Sequence, residues 1–116
     1  DSSLRDRHPR GAGSFPRVLA RYVREQGVLS LESAIHRMTA LSAQHMGFDE
    51  RGVIAPGMIA DLVLFNPDAV TDRATTSEPF APSGGIHTVW VAGERVLHEG
   101  AVSDAFPGRV IRRADS

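Results

Sequence analysis

Histidine is the first side chain to consider for chemistry, because imidazole binds metal ions and changes charge near neutral pH. The five histidines are His8, His36, His45, His87 and His98. None of them has the H-x-H or H-E-x-x-H spacing of a zinc motif, and the absence of cysteine excludes a thiolate zinc site. Two of them flank a predicted hairpin turn and could face each other, either to share an ion or as solvated imidazoles.

Three further charged residues could carry chemistry or hold structure. Asp1 heads the stretch "DSS", and nothing before it indicates which element it ends. Arg10 lies in "HPRG", on a predicted Gly/Pro loop, where a guanidinium could pair with a carboxylate or stay solvated. Asp61 follows a turn and precedes an apolar run, so we expect it to accept backbone N–H bonds in that turn.

The overall composition excludes several classes of protein. All thirteen cationic residues are arginine, which excludes Schiff-base chemistry and a P-loop, and no G-x-S-x-G elbow is present. The formal net charge of −1 provides no field for nucleic acid, and no apolar run is long enough to cross a bilayer. We therefore expect neither nucleic acid nor a membrane as a partner. The absence of cysteine favours the cytoplasm.

A first helix is predicted after an N-terminal loop. Residues 1–14 are polar and rich in glycine and proline, which predicts a loop. Ser14 or Phe15 is expected at the N-cap and Pro16 in the first turn, where its missing N–H is harmless. Gly27 is the expected stop.

A second helix is predicted from Ser30, an N-cap with Glu32 in the first turn. The stretch "TALSAQHMG" can supply a new N-cap at Thr39 or Ser42, so we expect the helix to break there. Gly47 is expected to end it. The chain therefore begins with two or three helices.

The second half of the chain predicts a small sheet. Residues 52–56 form a possible edge strand, Pro56-Gly57 predicts a type II turn, and residues 61–65 form a strand that is apolar on both faces. Residues 86–98 read as a hairpin with a two-residue loop at Ala92-Gly93. The expected register places Val91 opposite Glu94, Val89 opposite Val96 and His87 opposite His98.

These elements predict an α+β fold in which the helices precede a sheet of about three to four strands, including a C-terminal hairpin. Sheet faces that are apolar on both sides need more cover than these helices supply. Residues 66–86 have no periodicity, and so long an irregular loop is unusual within a compact domain. We expect the chain to be part of a larger body over which this loop passes without a core of its own.

The stretch "HPRGAGSFPRVLARYVREQGVLSLESAIHRMTALSAQHMGF" resembles the C-terminal part of the N-acyl-D-amino-acid deacylases, or D-aminoacylases, of the amidohydrolase superfamily. The stretches "RGVIAPGMIADLVLFNPDAVTDRAT" and "GIHTVWVAGERVLHEGAVSDAFPGRVIRR" continue the resemblance over nearly the whole chain. "GMIADLVLF" is similar to the superfamily at large, whereas "HPR", "FPRVL" and "NPDAVTDRAT" are more specific to the deacylases. Ala92 stands where asparagine commonly precedes the turn glycine.

The resemblance implies a longer zinc-dependent hydrolase with a TIM-like barrel and a small β-sandwich built from both chain ends. Residues 1–50 would supply the last barrel loop and outer helices, and residues 51–116 the C-terminal sandwich strands. Asp1 resembles the family's aspartate that binds metal and takes a proton from the attacking water. Arg10 resembles an arginine that pairs with the substrate's α-carboxylate. The other metal ligands would lie before residue 1.

The function implied is hydrolysis of N-acyl-D-amino acids to a carboxylate and a D-amino acid. We expect the 116-residue chain to be inactive alone and not to bind zinc tightly, with the N-terminal part of the polypeptide as its partner. An alternative is a free-standing α+β interaction module, which would use exposed sheet edges to bind a partner or a second copy.

Overall fold

The structure, a computed structural model, describes residues 10–78 and 81–112. Its helical elements are α1 (Arg10–Arg17), a π-helix (Val18–Glu25), α2 (Leu31–Met38) and α3 (Ala40–Met46). Its strands are β1 (Leu62–Phe65), β2 (Ile86–Val91), β3 (Glu94–His98) and β4 (Ala101–Val102). The expected α+β order, with the helices before the sheet, is confirmed. No helix in the described ranges is both long and apolar enough to span a bilayer.

The first helix begins earlier than the sequence predicts. α1 begins at Arg10, so the predicted loop is wrong for residues 10–14, and residues 1–9 lie outside the described ranges. Glycine normally disfavours a helix, but here it allows close packing. A Cβ added at Gly13 would lie 3.1 Å from the Cβ of Asp72. Tertiary contact with a distant segment therefore outweighs the local propensity that predicted a loop.

The helix changes geometry after Pro16. Pro16 lies inside α1, where it has no N–H to donate, and the following turns are wider. The backbone N–H of Gln26 donates to the carbonyl oxygen of Arg21, five residues earlier, at 2.9 Å. Gly27 follows with a φ of 64°, which confirms the predicted stop.

The predicted break between α2 and α3 is confirmed. Ser30 caps α2, because its Oγ accepts the backbone N–H of Ser33 at 3.1 Å. Thr39 separates the two helices, and its hydroxyl donates to the carbonyl oxygen of Ile35 at 2.6 Å. Gly47 ends α3 with a φ of 77°. Ser30 and Gly47 therefore marked the start of α2 and the end of α3 correctly, whereas Thr39 precedes α3 without a side-chain cap.

The strands form one sheet in the order β1-β2-β3-β4, with β2–β3 and β3–β4 antiparallel. The predicted hairpin loop is confirmed, since Ala92 and Gly93 both have positive φ values, 50° and 80°, as a type I′ turn requires. A second tight turn joins β3 to β4, with φ values of 49° at Glu99 and 87° at Gly100. This second turn was not among the predicted elements.

The predicted hairpin register is only partly correct. Val91 does pair with Glu94, but an irregularity between Val89 and Trp90 shifts the remaining pairs by one residue. Val89 therefore pairs with Leu97 instead of Val96, and Thr88 pairs with His98 in place of His87. A bulge inserts one unpaired residue, and alternation of side chains along the sequence does not reveal where it lies.

The predicted edge strand at residues 52–56 is wrong. This stretch forms bends, and the side chain of Ile54 is 88% exposed. The turn that follows is correct, because Gly57 has a φ of 87° and Met58 N–H donates to the carbonyl oxygen of Ala55 at 3.2 Å. A lone apolar run without a pairing partner does not make a strand.

The chain divides into two compact units. The first unit comprises Asp1–Ala34 and Phe65–Ile86, and the second comprises Ile35–Leu64 and His87–Ser116. The predicted division at residue 50 into parts of two parent domains stays a prediction. The buried apolar residues of the described ranges all belong to the first unit: Leu19, Ala20, Ala34, Val70 and Ala74. The expectation that residues 66–86 need no core is wrong, because this loop contributes two of these five residues.

Candidate functional site

The sequence and the resemblance proposed two residues for chemistry, Asp1 and Arg10. Asp1 lies outside the described residues, so its role stays a prediction. Arg10 is the first residue of α1, so its predicted position on a loop is wrong. The pairing of Arg10 with a substrate carboxylate remains a prediction.

The side of α1 that includes Gly13 packs against the loop at Asp72. Beyond the close approach to Gly13, Asp72 Oδ2 accepts a hydrogen bond from Arg17 Nη1 at 3.3 Å. The Asp72 side chain is 19% exposed and that of Arg17 is 44% exposed. The aspartate therefore contacts α1 at two positions one helical turn apart.

The same loop is fixed to the π-helix by Arg24. Its Nη1 donates to the carbonyl oxygens of Pro67 at 3.1 Å and of Val70 at 2.8 Å. The loop also closes on itself, since Thr71 and Gly84 exchange backbone hydrogen bonds of 3.1 and 2.9 Å. A Cβ at Gly85 would overlap the backbone of Val70, so glycine is required for this close return. The loop is a packed element of the first unit.

In the second unit, His87 and His98 do face each other, as the sequence allowed. Their ring centroids are 5.1 Å apart, and both Nδ1 atoms lie within hydrogen-bond distance of Thr88 Oγ1, at 2.6 and 3.1 Å. Their Nε2 atoms approach the two carboxylate oxygens of Glu99 at 3.4 and 3.7 Å. The single hydroxyl proton of Thr88 can serve only one Nδ1, so the other Nδ1 must carry a proton and donate.

The described residues do not form a metal centre. Within residues 10–78 and 81–112, no group of three or more histidine, aspartate or glutamate side chains is placed to hold a metal ion. The choice between a shared ion and solvated imidazoles at His87 and His98 stays a prediction. A zinc ion of the kind the resemblance implies would need ligands other than the described residues.

Asp61 organises the second unit. Its Oδ1 accepts the backbone N–H of Ala92 at 2.8 Å, and its Oδ2 accepts from Arg51 Nε at 3.1 Å. The prediction that Asp61 accepts a backbone N–H was right in kind but wrong in partner, because the donor lies in the hairpin turn. The Arg51 side chain is 11% exposed, and its Nη1 is buried without a partner among the described residues. No sequence signal had marked Arg51.

A model of the amidohydrolase family matches residues 2–97. The chain therefore belongs to the amidohydrolase family. It is 50% identical over 109 residues to the N-acyl-D-aspartate deacylase of Alcaligenes xylosoxydans xylosoxydans, which is 94% of this chain and 22% of that protein. The chain thus spans about a fifth of the length of the curated relatives it matches.

Two solved structures are similar to the chain over nearly its whole length. A D-aminoacylase structure superposes with a TM-score of 0.88 and 44% identity, covering 91% of this chain and 22% of that one. The second is the N-acyl-D-glutamate deacylase of Bordetella bronchiseptica, solved with zinc and a phosphonate inhibitor. It superposes with a TM-score of 0.84 and 53% sequence identity, covering 90% of this chain and 22% of that one. These matches confirm the resemblance to the deacylases that the sequence motifs indicated.

Proposed function

We propose that this chain forms the C-terminal part of a zinc-dependent N-acyl-D-amino-acid deacylase, which releases a carboxylate and a D-amino acid. One observation carries the proposal: the chain is 53% identical to a solved N-acyl-D-glutamate deacylase over 90% of its own length, with a TM-score of 0.84. Sequence identity of this degree over the helices, the loop and the sheet indicates more than a shared fold.

In this proposal Asp1 acts as the general base. Its carboxylate takes a proton from the water whose oxygen attacks the amide carbon, and passes it to the nitrogen as the C–N bond breaks. Arg10 pairs with the α-carboxylate of the substrate, because a guanidinium matches a carboxylate with two parallel hydrogen bonds. Zinc, when bound, supplies Lewis-acid chemistry, with Asp1 as the one ligand that this chain would contribute.

The proposed partner is the N-terminal part of the same polypeptide. Support comes from the second unit, where Val63 and Leu64 of β1 are each 52% exposed and Val102 of β4 is 80% exposed. Several exposed apolar residues on the strands of one sheet are typical of a surface that another part of a protein covers. A cytoplasmic location stays a proposal, which rests on the absence of cysteine from the sequence.

The test compares the 116-residue chain with the complete polypeptide that its gene encodes. We expect the complete polypeptide to hydrolyse N-acyl-D-amino acids and the chain alone to be inactive. Asp1→Asn should lower kcat by about 10²- to 10⁴-fold, the usual contribution of a general base. Asp104→Asn, at an exposed aspartate, is the control. Equal activity in the chain alone would refute the proposal.

The alternative is the free-standing interaction module, and the same exposed apolar residues would serve it. The size of the purified 116-residue chain in solution separates the two proposals. A stable monomer or a defined dimer, together with a complete polypeptide that lacks deacylase activity, would favour the module. An aggregating chain and an active complete polypeptide would favour the deacylase.

A further inference from the structure

Residues 66–75, "NPDAVTDRAT", form a segment that the proposed mechanism does not use. In the resemblance, this stretch is among those specific to the deacylases, although it has no periodicity and supplies no residue to the proposed chemistry. The structure shows it as a packed element, with Val70 fully buried and Ala74 only 7% exposed.

The segment is held rigidly against the helical part of the first unit. Arg24 donates to two of its carbonyl oxygens, at 3.1 and 2.8 Å, and its Asn66 N–H donates to the carbonyl oxygen of Gly85 at 3.0 Å. The two bonds from Arg24 join Pro67 and Val70 to the π-helix, and the bond from Asn66 joins the start of the segment to Gly85.

The segment also contacts α1. A Cβ at Gly13 would lie 3.1 Å from Asp72 Cβ and 3.5 Å from Ala74 Cβ, which leaves no room for a side chain without a shift. Arg17 Nη1 donates to Asp72 Oδ2 at 3.3 Å. Gly13 sets how closely α1 approaches the segment, and the ion pair fixes where along the helix the segment sits.

Gly13 and Arg17 lie on one side of α1, because residues four apart share a helix face. Arg10 is the first residue of the same helix, three positions before Gly13. We propose that Asp72 and Gly13 are positioning residues, through which the 66–75 segment sets the place of Arg10 relative to the substrate carboxylate. This inference rests on the proposed deacylase function.

The close contact at Gly13 predicts a measurable effect on binding. Alanine at position 13 requires the segment or the helix to move by a few tenths of an ångström. Because Arg10 is proposed to bind the substrate carboxylate and not to take part in bond breaking, the shift should raise KM, by about 3- to 10-fold, and leave kcat unchanged. Alanine is also the better helix former, so the substitution does not weaken α1 by itself. We therefore expect Gly13→Ala to raise KM and to leave the melting temperature unchanged.

The experiment uses the complete polypeptide that the gene encodes, assayed with an N-acyl-D-amino acid. Gly13→Ala tests the close contact, and Asp72→Ala, which keeps the Cβ, tests the ion pair alone. Gly108→Ala is the matched control for the first, because a Cβ there meets nothing within 4 Å. Asp104→Ala, at an exposed position, is the control for the second. Each variant is also made with Arg10→Ala, so that the coupling to Arg10 is measured directly.

We expect Gly13→Ala and Asp72→Ala to raise KM with kcat and melting temperature retained, and both effects to disappear when Arg10 is alanine. Unchanged KM values, or a full penalty in the Arg10→Ala background, would overturn the positioning role while leaving the proposed function intact. A wild-type polypeptide with no deacylase activity would refute the proposed function instead, and the positioning role with it. If Gly13→Ala fails to fold, the Asp72→Ala cycle decides alone.

Discussion

The two compact units of the chain are stabilised in different ways. The first unit holds the buried apolar side chains of the described residues, among them Val70 at 0% and Leu19 at 8% exposure. In the second unit Thr88 is the buried residue of the described ranges, at 2%, and it is polar. Among the described residues, exposed large apolar side chains are fewer in the first unit, where they are Phe15, Tyr22 and Val28, than in the second, where they are Met46, Val53, Ile54, Val63, Leu64, Val102, Phe106 and Val110.

The two units show that a buried core and regular secondary structure need not occur together. The first unit contains an irregular loop and a π-helix, yet it buries a core. The second unit contains the regular sheet, yet it is held by specific polar contacts, such as those of Asp61 and Thr88, and by tight turns. Regular secondary structure in the second unit therefore does not imply a self-sufficient core, because a sheet is stabilised by what covers its faces.

The largest effect is expected from removing core volume in the first unit. Val70→Ala should lower the free energy of unfolding by about 2–3 kcal/mol, because the side chain is fully buried and its loss leaves a cavity. Val110→Ala, at a site that is 82% exposed, should change it by less than about 0.5 kcal/mol. Urea denaturation of the purified protein measures both. Equal effects would remove the distinction between the units.

A loss of about 2–3 kcal/mol is also expected from Asp61→Ala, because the substitution leaves a buried guanidinium without its carboxylate and the hairpin turn without its acceptor. Asp61→Asn keeps an acceptor for the Ala92 N–H and should cost less. The control is Asp104→Ala at an exposed site. If Asp61→Ala is as mild as the control, polar contacts do not hold the second unit.

Local signals in the sequence predicted the parts of the fold that depend on one or two residues. Ser30, Gly27 and Gly47 mark helix ends because capping and positive φ are local requirements. Ala92-Gly93 marks the hairpin turn for the same reason. The register could not be predicted from residue alternation, since a bulge between Val89 and Trp90 changes the pairing without a local signal.

The parts that the sequence did not reveal depend on distant contacts. α1 begins at Arg10 despite two glycines, because Gly13 packs on a residue 59 positions away, Asp72. Val70 is buried although nothing periodic surrounds it. At the candidate site, Asp1 and Arg10 were proposed from the resemblance. The contact of Asp72 with α1 became apparent only in the structure. No local pattern in the sequence marked Arg51, because its pairing with Asp61 becomes apparent only in the folded structure.

A smaller effect is expected at the buried hydroxyl of the second unit. Thr88→Val keeps the shape but removes the group that bridges the two imidazole Nδ1 atoms, and it should cost about 1–2 kcal/mol. Nitrogen NMR of His87 and His98 should show that the Nδ1 resonances of both rings change. Thr76→Val, at an exposed threonine, is the control. Unchanged histidine spectra would show that the bridge does not order this cluster.

The smallest effect, and one of opposite sign, is expected at the hairpin turn. Ala92 has a φ of 50°, a conformation that asparagine adopts more readily than alanine, and Asn-Gly is the favoured pair for a type I′ turn. Ala92→Asn should therefore stabilise the protein by about 0.5–1 kcal/mol. Ala55→Asn, at an exposed alanine without positive φ, should not. Higher stability of Ala92→Asn would show that turn geometry contributes to the stability of the second unit, which lacks a buried apolar core among the described residues. Unchanged stability would contradict this and leave the hydrogen bonds of Asp61 as the main contribution at this turn.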